Sequence, residues 1–281
     1  MTSIAEALRV ATARLNEAGI DGARLDARLL LAEALGKDNT WLFNNAPDPL
    51  TPEAEAAYAG LLERRLQRQP ISLILGRREF WSLDFTVTED TLAPRPDSET
   101  VIEAVLADLP DRQKPLSVLD LGTGTGCLLL ALLSELPRAT GTGVDLNPDT
   151  LAVARSNAQR LGFGGRTLFL RSNWWDGVEG RFDIILSNPP YIPSGDIAGL
   201  EPEVALFEPL GALDGGADGL DAYRLLAAGA DKFLTAEGVI AFEVGAGQAA
   251  DVAALLEEAG LGVRLVRRDL SGIERCVVAG R

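Results

Sequence analysis

Histidine is absent from the 281 residues. That absence removes Ser-His-Asp and Cys-His catalysis, and with them most transition-metal sites. Cysteine is scarce. Cys127 and Cys276 stand far apart with no CxxC or Cys/His spacing, so neither a disulfide framework nor a metal centre is expected. No apolar run reaches the ~18 residues that a membrane span requires. The opening stretch MTSIAEALRVATARLNEAG has acidic residues and no apolar h-region. A secretory signal is therefore not expected, and the cytoplasm is the expected compartment. Lysine occurs only three times, and the formal charge is −15. Affinity for nucleic acid comes largely from neutralising phosphates, so this balance argues against a direct nucleic-acid partner. The acid is uneven: residues 1–75 carry 8 basic and 10 acidic side chains, the remainder 18 and 31. The chemistry must draw on backbone dipoles, amides, carboxylates, aromatics or a cofactor.

What is present falls into three textures. Residues 1–75 read as a small helical bundle. Ser3 can cap a helix with Ile4, Leu8, Ala11 and Leu15 on one face. Leu25, Leu29, Ala32 and the neighbouring leucines form a second helix, closed at Gly36, and Trp41, Leu42 and Phe43 lie in a short segment. Thr51 opens a further helix running to about Arg68, before Pro70. Residues 76–96 form a linker in which Arg78–Trp81 and Asp84–Val87 flank Ser82-Leu83 as a β-hairpin. From 97 to 281 strands and helices alternate, which implies an α/β domain with a mostly parallel sheet. The strand candidates are Ser117–Leu121, Gly141–Leu146, Thr167–Leu170, Phe182–Ser187, Gly238–Val244, Gly262–Arg268 and Arg275–Ala279. Only Asp269–Glu274 separates the last two, too short for a parallel crossover, so the final strand must run antiparallel. Seven strands ending in this way resemble the class I methyltransferase (Rossmann-like) sheet rather than a dehydrogenase.

Two loops carry the chemistry. The first is Gly122-Thr123-Gly124-Thr125-Gly126, where an apolar strand through Asp120 turns into a helix beginning at Cys127. Glycines there let a ligand approach the backbone, and the helix N-terminus offers N–H groups. The spacing is GxGxG, not the GxGxxG dinucleotide fingerprint, and suits the methionine part of S-adenosylmethionine. Asp145, at the end of the second strand, can accept hydrogen bonds from both ribose hydroxyls. Trp174 after the third strand suits an adenine neighbour and a core position equally. Cys127 has no base partner and reads as a packing residue.

The second loop follows the fourth strand: Asn188-Pro189-Pro190-Tyr191. Its prolines fix a non-helical loop and remove N–H donors, so it presents carbonyls at the strand's carboxyl end. With the Asn188 side-chain oxygen, those carbonyls can accept both N–H groups of a planar substrate nitrogen. Such acceptors orient a weakly nucleophilic amide nitrogen toward a methyl sulfonium and stabilise charge growing on it. Tyr191 is placed to stack on the flat group.

With these loops in place, the chain resembles the N-methyltransferases of amino and amide groups. Arg78-Glu79-Phe80-Trp81, Pro94-Arg95-Pro96-Asp97-Ser98-Glu99 and Phe207-Glu208-Pro209 resemble the HemK/PrmC family of release factor glutamine methyltransferases. The resemblance covers nearly the whole chain. It implies methyl transfer from S-adenosyl-L-methionine, leaving S-adenosyl-L-homocysteine, to the side-chain N5 of the Gly-Gly-Gln glutamine of class I peptide chain release factors. It implies cofactor contacts from Gly122, Thr123, Gly124, Thr125, Gly126, Asp145, Trp174 and Asn188. Catalytic and substrate contacts would come from Asn188, Pro189, Pro190 and Tyr191, with the N-terminal helices gripping the partner and no metal. A monomer is the family's expectation. One departure stands out: the family often has Ser-Asp-Trp-Phe where this chain has Ser172-Asn173-Trp174-Trp175. Two other readings compete, a nucleic-acid N-methyltransferase using the local cluster Arg64, Arg65, Arg68, Arg77 and Arg78, and a non-catalytic binding module.

Overall fold

A computed structural model describes residues 2–281. The chain divides into two compact units. The smaller holds the residues up to Gly76 together with Glu201–Phe207, and the larger holds Arg77–Leu200 and Glu208–Arg281.

In the smaller unit three of the helices begin where a side chain takes up a free amide. Helix α1 (Ile4–Glu17) is capped by Ser3, which accepts from the Glu6 amide. Helix α2 (Ala23–Leu35) lies between two left-handed glycines, Gly22 and Gly36. Asp38 caps α3 (Asn39–Asn44), and Thr51 caps α4 (Pro52–Leu66). A fifth helix, α5 (Ile71–Leu75), follows Pro70. The sequence pattern had not set it apart, because five residues are too few to show a helical period. The core is Ile4, Ala11, Leu15, Ala27, Leu30, Leu31 and Leu62, and the buried Tyr58 hydroxyl donates to the Ala27 carbonyl. In α2 Leu25 is exposed, and the buried stripe is Ala23, Asp26, Ala27, Leu30 and Leu31. Leucines and alanines surround this helix almost completely, so periodicity alone could not choose the face. A charge chooses it: Asp26 lies 2.7 Å from Arg65.

In the larger unit the chain first forms the hairpin β1 (Arg77–Phe80) and β2 (Leu83–Thr86). Its turn is Trp81-Ser82, one residue earlier than the sequence pattern suggested. Phe80 and Phe85 must both enter the core, and a one-residue slip would turn them to solvent. Then come α6 (Glu99–Asp108), β3 (Ser117–Leu121), α7 (Cys127–Glu135), β4 (Thr140–Asp145), α8 (Pro148–Arg160), β5 (Thr167–Arg171) and β6 (Phe182–Ser187). The short helix α9 (Pro202–Ala205) belongs to the segment counted with the smaller unit. Helix α10 (Asp221–Phe233), β7 (Leu234–Glu243), α11 (Ala249–Glu258), β8 (Gly262–Arg268) and β9 (Glu274–Gly280) complete the chain.

The sheet order is β5-β4-β3-β6-β7-β9-β8. The first five strands are parallel, and β9 runs antiparallel between β7 and β8. The β8–β9 turn is nucleated by Asp269, whose carboxylate accepts from the Ser271 and Ile273 amides. One face packs under α6, α7 and α8, through Val101, Val105, Leu129 and Leu133 among others. The other packs under α10 and α11, through Tyr223, Leu226, Phe233 and Val252. Both faces are covered, as a parallel sheet requires. Among the described residues no helix is long and apolar enough to cross a membrane.

Candidate active site

Register brings the two sequence loops together. Leu121 at the end of β3 pairs with Val144 on β4 and with Ser187 on β6. The next residue of each strand, namely Gly122, Asp145 and Asn188, therefore sits at the same carboxyl edge of the sheet. A cavity of about 620 Å³ opens there, within the range of small-molecule sites. Its walls include Gly122, Thr123, Gly124, Thr125, Asp145, Trp174, Asn188 and Pro190.

The glycine loop is bent by three left-handed residues, Gly122 at φ 73°, Gly124 at 56° and Gly126 at 82°. They do different work. A Cβ on Gly124 would meet nothing within 4 Å, so this backbone lies open to the cavity. A Cβ on Gly122 would come within 3.3 Å of the Trp174 ring, so the ring lies close against the loop. Gly126 is not part of the cavity wall. A side chain there would meet Leu130 and Ala154. Much of the loop's N–H capacity is already used: Gly122 and Thr123 donate to the Val144 carbonyl, Gly126 to Thr123. Gly124 donates to Asp145 Oδ2 at 3.1 Å, and the Asn147 amide donates to Oδ1 at 3.1 Å. Each carboxylate oxygen keeps a second lone pair for a ligand hydroxyl. Burial pushes the Asp145 carboxyl up, opposed by those amides.

Beneath the loop, Asp120 is 1% exposed and accepts from Thr123 Oγ1 at 2.7 Å. Burial, with the nearby Asp145 charge, pushes it up to about 7. Burial likewise pushes the Cys127 thiol up to about 12, which suits the packing role and excludes a ready thiolate. Trp174 holds a left-handed backbone, φ 52°, and lines the cavity, whereas Trp175 turns away to stack on Phe233 with centroids 4.8 Å apart. Asn173 also lines the cavity.

The proline loop divides in a way its sequence did not show. Asn188 and Pro190 face the cavity, while Pro189 is buried and Tyr191 is not part of its wall. The Tyr191 ring lies against Gly245, and burial pushes its hydroxyl up to about 12. The loop is braced from behind. Gln248 Nε2 donates to the Tyr191 carbonyl at 2.9 Å, and Ile192 forms a bridge with Asp214. Gln248 carried no sequence signal, because it comes 57 residues later.

Two segments quoted for the family meet here. Arg95 Nη2 lies 2.8 and 2.6 Å from the two Glu208 oxygens, with the Glu208 side chain only 3% exposed. Burial raises the Glu208 carboxyl, and Arg95 opposes it. The Asn188 amide Nδ2 lies 3.4 Å from Ser98 Oγ. Glu243, at the end of β7, is 1% exposed and pushed up to about 7 by burial, against a hydrogen bond from Ser98. Ser98, Glu208 and Glu243 are separated from Asn188 by 90, 20 and 55 positions, and only folding assembles them. No cluster of metal-ligating side chains occurs among the described residues.

The sheet order and the edge cavity define the class I methyltransferase fold. A methyltransferase from Pyrococcus furiosus shares it, with a TM-score of 0.54 at 17% identity, over 79% of this chain and 100% of that one. Residues 6–76 match the family model of the PrmC N-terminal domain, and residues 98–199 that of the methyltransferase small domain. The release factor glutamine methyltransferase of Rhodospirillum rubrum is 51% identical over 268 residues, 95% of this chain and 82% of that protein. The one from Cereibacter sphaeroides is 50% identical over 276 residues, 98% of this chain and 97% of that protein. The chain belongs to the release factor glutamine methyltransferase family.

Proposed function

We propose that this protein transfers the methyl group of S-adenosylmethionine to the side-chain N5 of the glutamine in the Gly-Gly-Gln loop of class I peptide chain release factors, as a cytoplasmic monomer. The observation that carries the reading is the shared cavity. An open glycine backbone, the carboxylate of Asp145, the Trp174 ring and the amide of Asn188 line one space. This wall fits the cofactor: Gly124 admits close approach, Asp145 has acceptor capacity for a ribose diol, and Trp174 offers an apolar ring face. Bound there, the cofactor supplies an electrophilic methyl on a sulfonium.

The chain's own residues then hold the nucleophile. Asn188 Oδ1 and the carbonyl of Pro189 accept the two N–H groups of the substrate amide, and Pro190 walls the pocket beside them. With both N–H groups held, the nitrogen lone pair points along the line of transfer, a positioning effect. The same acceptors stabilise the positive charge that grows on nitrogen as the N–C bond forms and the S–C bond breaks. The extra N–H proton is then lost to water. Tyr191 supports the loop from behind, as its burial against Gly245 suggests. The acids that pair Arg65 and Arg68 weigh against a nucleic-acid substrate, because those cations are already neutralised.

A methyl-transfer assay tests this. The protein, labelled S-adenosylmethionine and a bacterial class I release factor are combined, and mass spectrometry maps the product. One methyl is expected on the loop glutamine, absent when that glutamine is alanine and reduced about 100-fold or more in Asn188→Ala. Transfer to RNA or DNA but not to release factor would overturn the substrate assignment.

A further inference from the structure

Asn188 carries an amide whose two ends are nearly alike in shape and opposite in hydrogen bonding. The proposed chemistry needs Oδ1 toward the cavity. If the group were turned over, its NH2 would meet the NH2 of the substrate, donor against donor. Something must therefore select one orientation, and Ser98 with Glu243 supplies the selection.

The Asn188 Nδ2 end lies 3.4 Å from Ser98 Oγ. Ser98 is 2% exposed, at the entry to α6. Its hydroxyl has a single proton, and the buried Glu243 carboxyl, within reach of the Ser98 side chain, is the acceptor placed to take it. Above about pH 7, where Glu243 is ionised, a hydroxyl that donates to its carboxylate has only lone pairs left to offer. Asn188 must then present N–H to Ser98, and Oδ1 is the end left for the cavity. Glu243 is well placed for this, since β7 lies beside β6 with Phe242 paired to Ser187, one residue before Asn188. Its Oε2 has no hydrogen-bond partner although the residue is 1% exposed. Burying such a carboxyl is costly, and Ser98 with the nearby charges of Arg275 and Arg95 offsets it only in part. Packing gives no reason for a carboxylate at this position, since its chain neighbours Phe242 and Val244 are apolar and fully buried.

We infer that Ser98 and Glu243 are positioning residues that lock the Asn188 amide with Oδ1 toward the substrate nitrogen, an inference that rests on the amide-methylation reading above. The key variant is Glu243→Gln, nearly the same in shape. Its amide can donate to Ser98, which frees the Ser98 proton for Asn188 Oδ1 and lets the Asn188 amide turn over.

The experiment measures release factor methylation by wild type, Glu243→Gln, Ser98→Ala, Asn188→Asp and the double variant Asn188→Asp/Glu243→Gln, with a thermal melt of each. Glu243→Gln is expected to lower kcat about 100-fold. KM for release factor and the affinity for S-adenosylmethionine should stay within about threefold, because neither is bound through Glu243. An aspartate reads the same from either orientation, so Glu243→Gln should cost little more in the Asn188→Asp background. A full additional loss there, or unchanged kcat in Glu243→Gln and Ser98→Ala, would overturn the inference. A second readout needs no turnover. In protein labelled with 15N-asparagine, the Asn188 side-chain hydrogens, assigned by their loss in Asn188→Asp, should show a nuclear Overhauser contact to the Ser98 β-hydrogens. That contact should weaken in Glu243→Gln. If wild type failed to methylate release factor but this contact behaved as expected, the substrate assignment would fall and the positioning role would stand. An unchanged contact would sink the positioning role whatever the substrate.

Discussion

At the residue scale, Asp145 holds two tasks at once. Its oxygens brace the glycine loop through the Gly124 and Asn147 amides and still face the cavity. Asp145→Ala is therefore expected to weaken S-adenosylmethionine binding by ~2–3 kcal/mol, about 30- to 150-fold, the value of charged hydrogen bonds. Isothermal calorimetry measures it, and an affinity within threefold of wild type would remove Asp145 from the site. Asn173→Asp, which restores the carboxylate often seen in the family, should change that affinity only modestly, because Asn173 is exposed at the cavity rim. A large change by the same method would show that the position matters more than its exposure suggests.

The two buried acids make a second prediction at this scale. Asp120 and Glu243 are each raised to about 7 by burial, from ordinary values of 3.8 and 4.5. The groups facing Glu243 are Ser98, Asp97, Arg95, Arg275, Tyr191, Tyr223, Cys127 and Cys276, and Asp120 faces Thr123, Cys127 and Asp145. Between the ordinary and the raised values the folded chain keeps protons that the unfolded chain has released. The stability these acids contribute is thus full below about pH 4 and is lost as pH rises through about 7. Tm of the ligand-free protein should fall between pH 5 and pH 8, and the fall should be shallower in Glu243→Gln. A Tm that rises over this range in wild type would contradict the assignment.

At the element scale, the hairpin turn is the least relaxed piece of backbone. Trp81 and Ser82 stand at φ 52° and 58°, the pattern of a two-residue turn that glycine or asparagine would normally occupy. Tertiary contacts hold it: the Trp81 amide donates to Glu99 at 2.8 Å and its indole to Glu135 at 2.9 Å. Ser82 is exposed and has no such compensation. Ser82→Gly should therefore stabilise the fold by roughly 0.5–1 kcal/mol, read as a higher urea midpoint. Destabilisation by that substitution would mean the serine side chain contributes more than its backbone costs.

At the scale of the whole molecule, the chain leaves the sheet unit after Leu200, contributes Glu201–Phe207 to the helical unit and returns at Glu208. Within the helical unit, Arg65 is 6% exposed and binds Asp26 at 2.7 Å and Glu203 at 2.8 Å, and Arg68 binds Glu203 at 2.7 Å. Burial pushes the Glu203 carboxyl up, but hydrogen bonds from Arg65 and Arg68 outweigh it, so it lies below the usual range. Arg65→Ala leaves the buried Asp26 carboxylate without its cation and Glu203 with Arg68 alone, and should cost about 3 kcal/mol. Hydrogen exchange over residues 2–76 measures it, with faster exchange in α2 and α4 as the expected result. Protection equal to wild type would show the network to be dispensable.

By itself the sequence determined the elements that depend on local chemistry. The caps Ser3 and Thr51, the GxGxG turn, the fixed proline loop and the short final connection act over a few residues, so the strands and both loops were legible in the chain. Family membership was legible for the same reason, since its motifs are contiguous. Tertiary structure alone decided the rest, because those facts depend on register and burial between distant positions. It chose the buried face of α2 through Arg65, turned Tyr191 and Gly126 away from the cavity, and brought Glu208 to Arg95. It also set Ser98 and Glu243 behind Asn188, where a buried carboxylate has no local pattern to announce it.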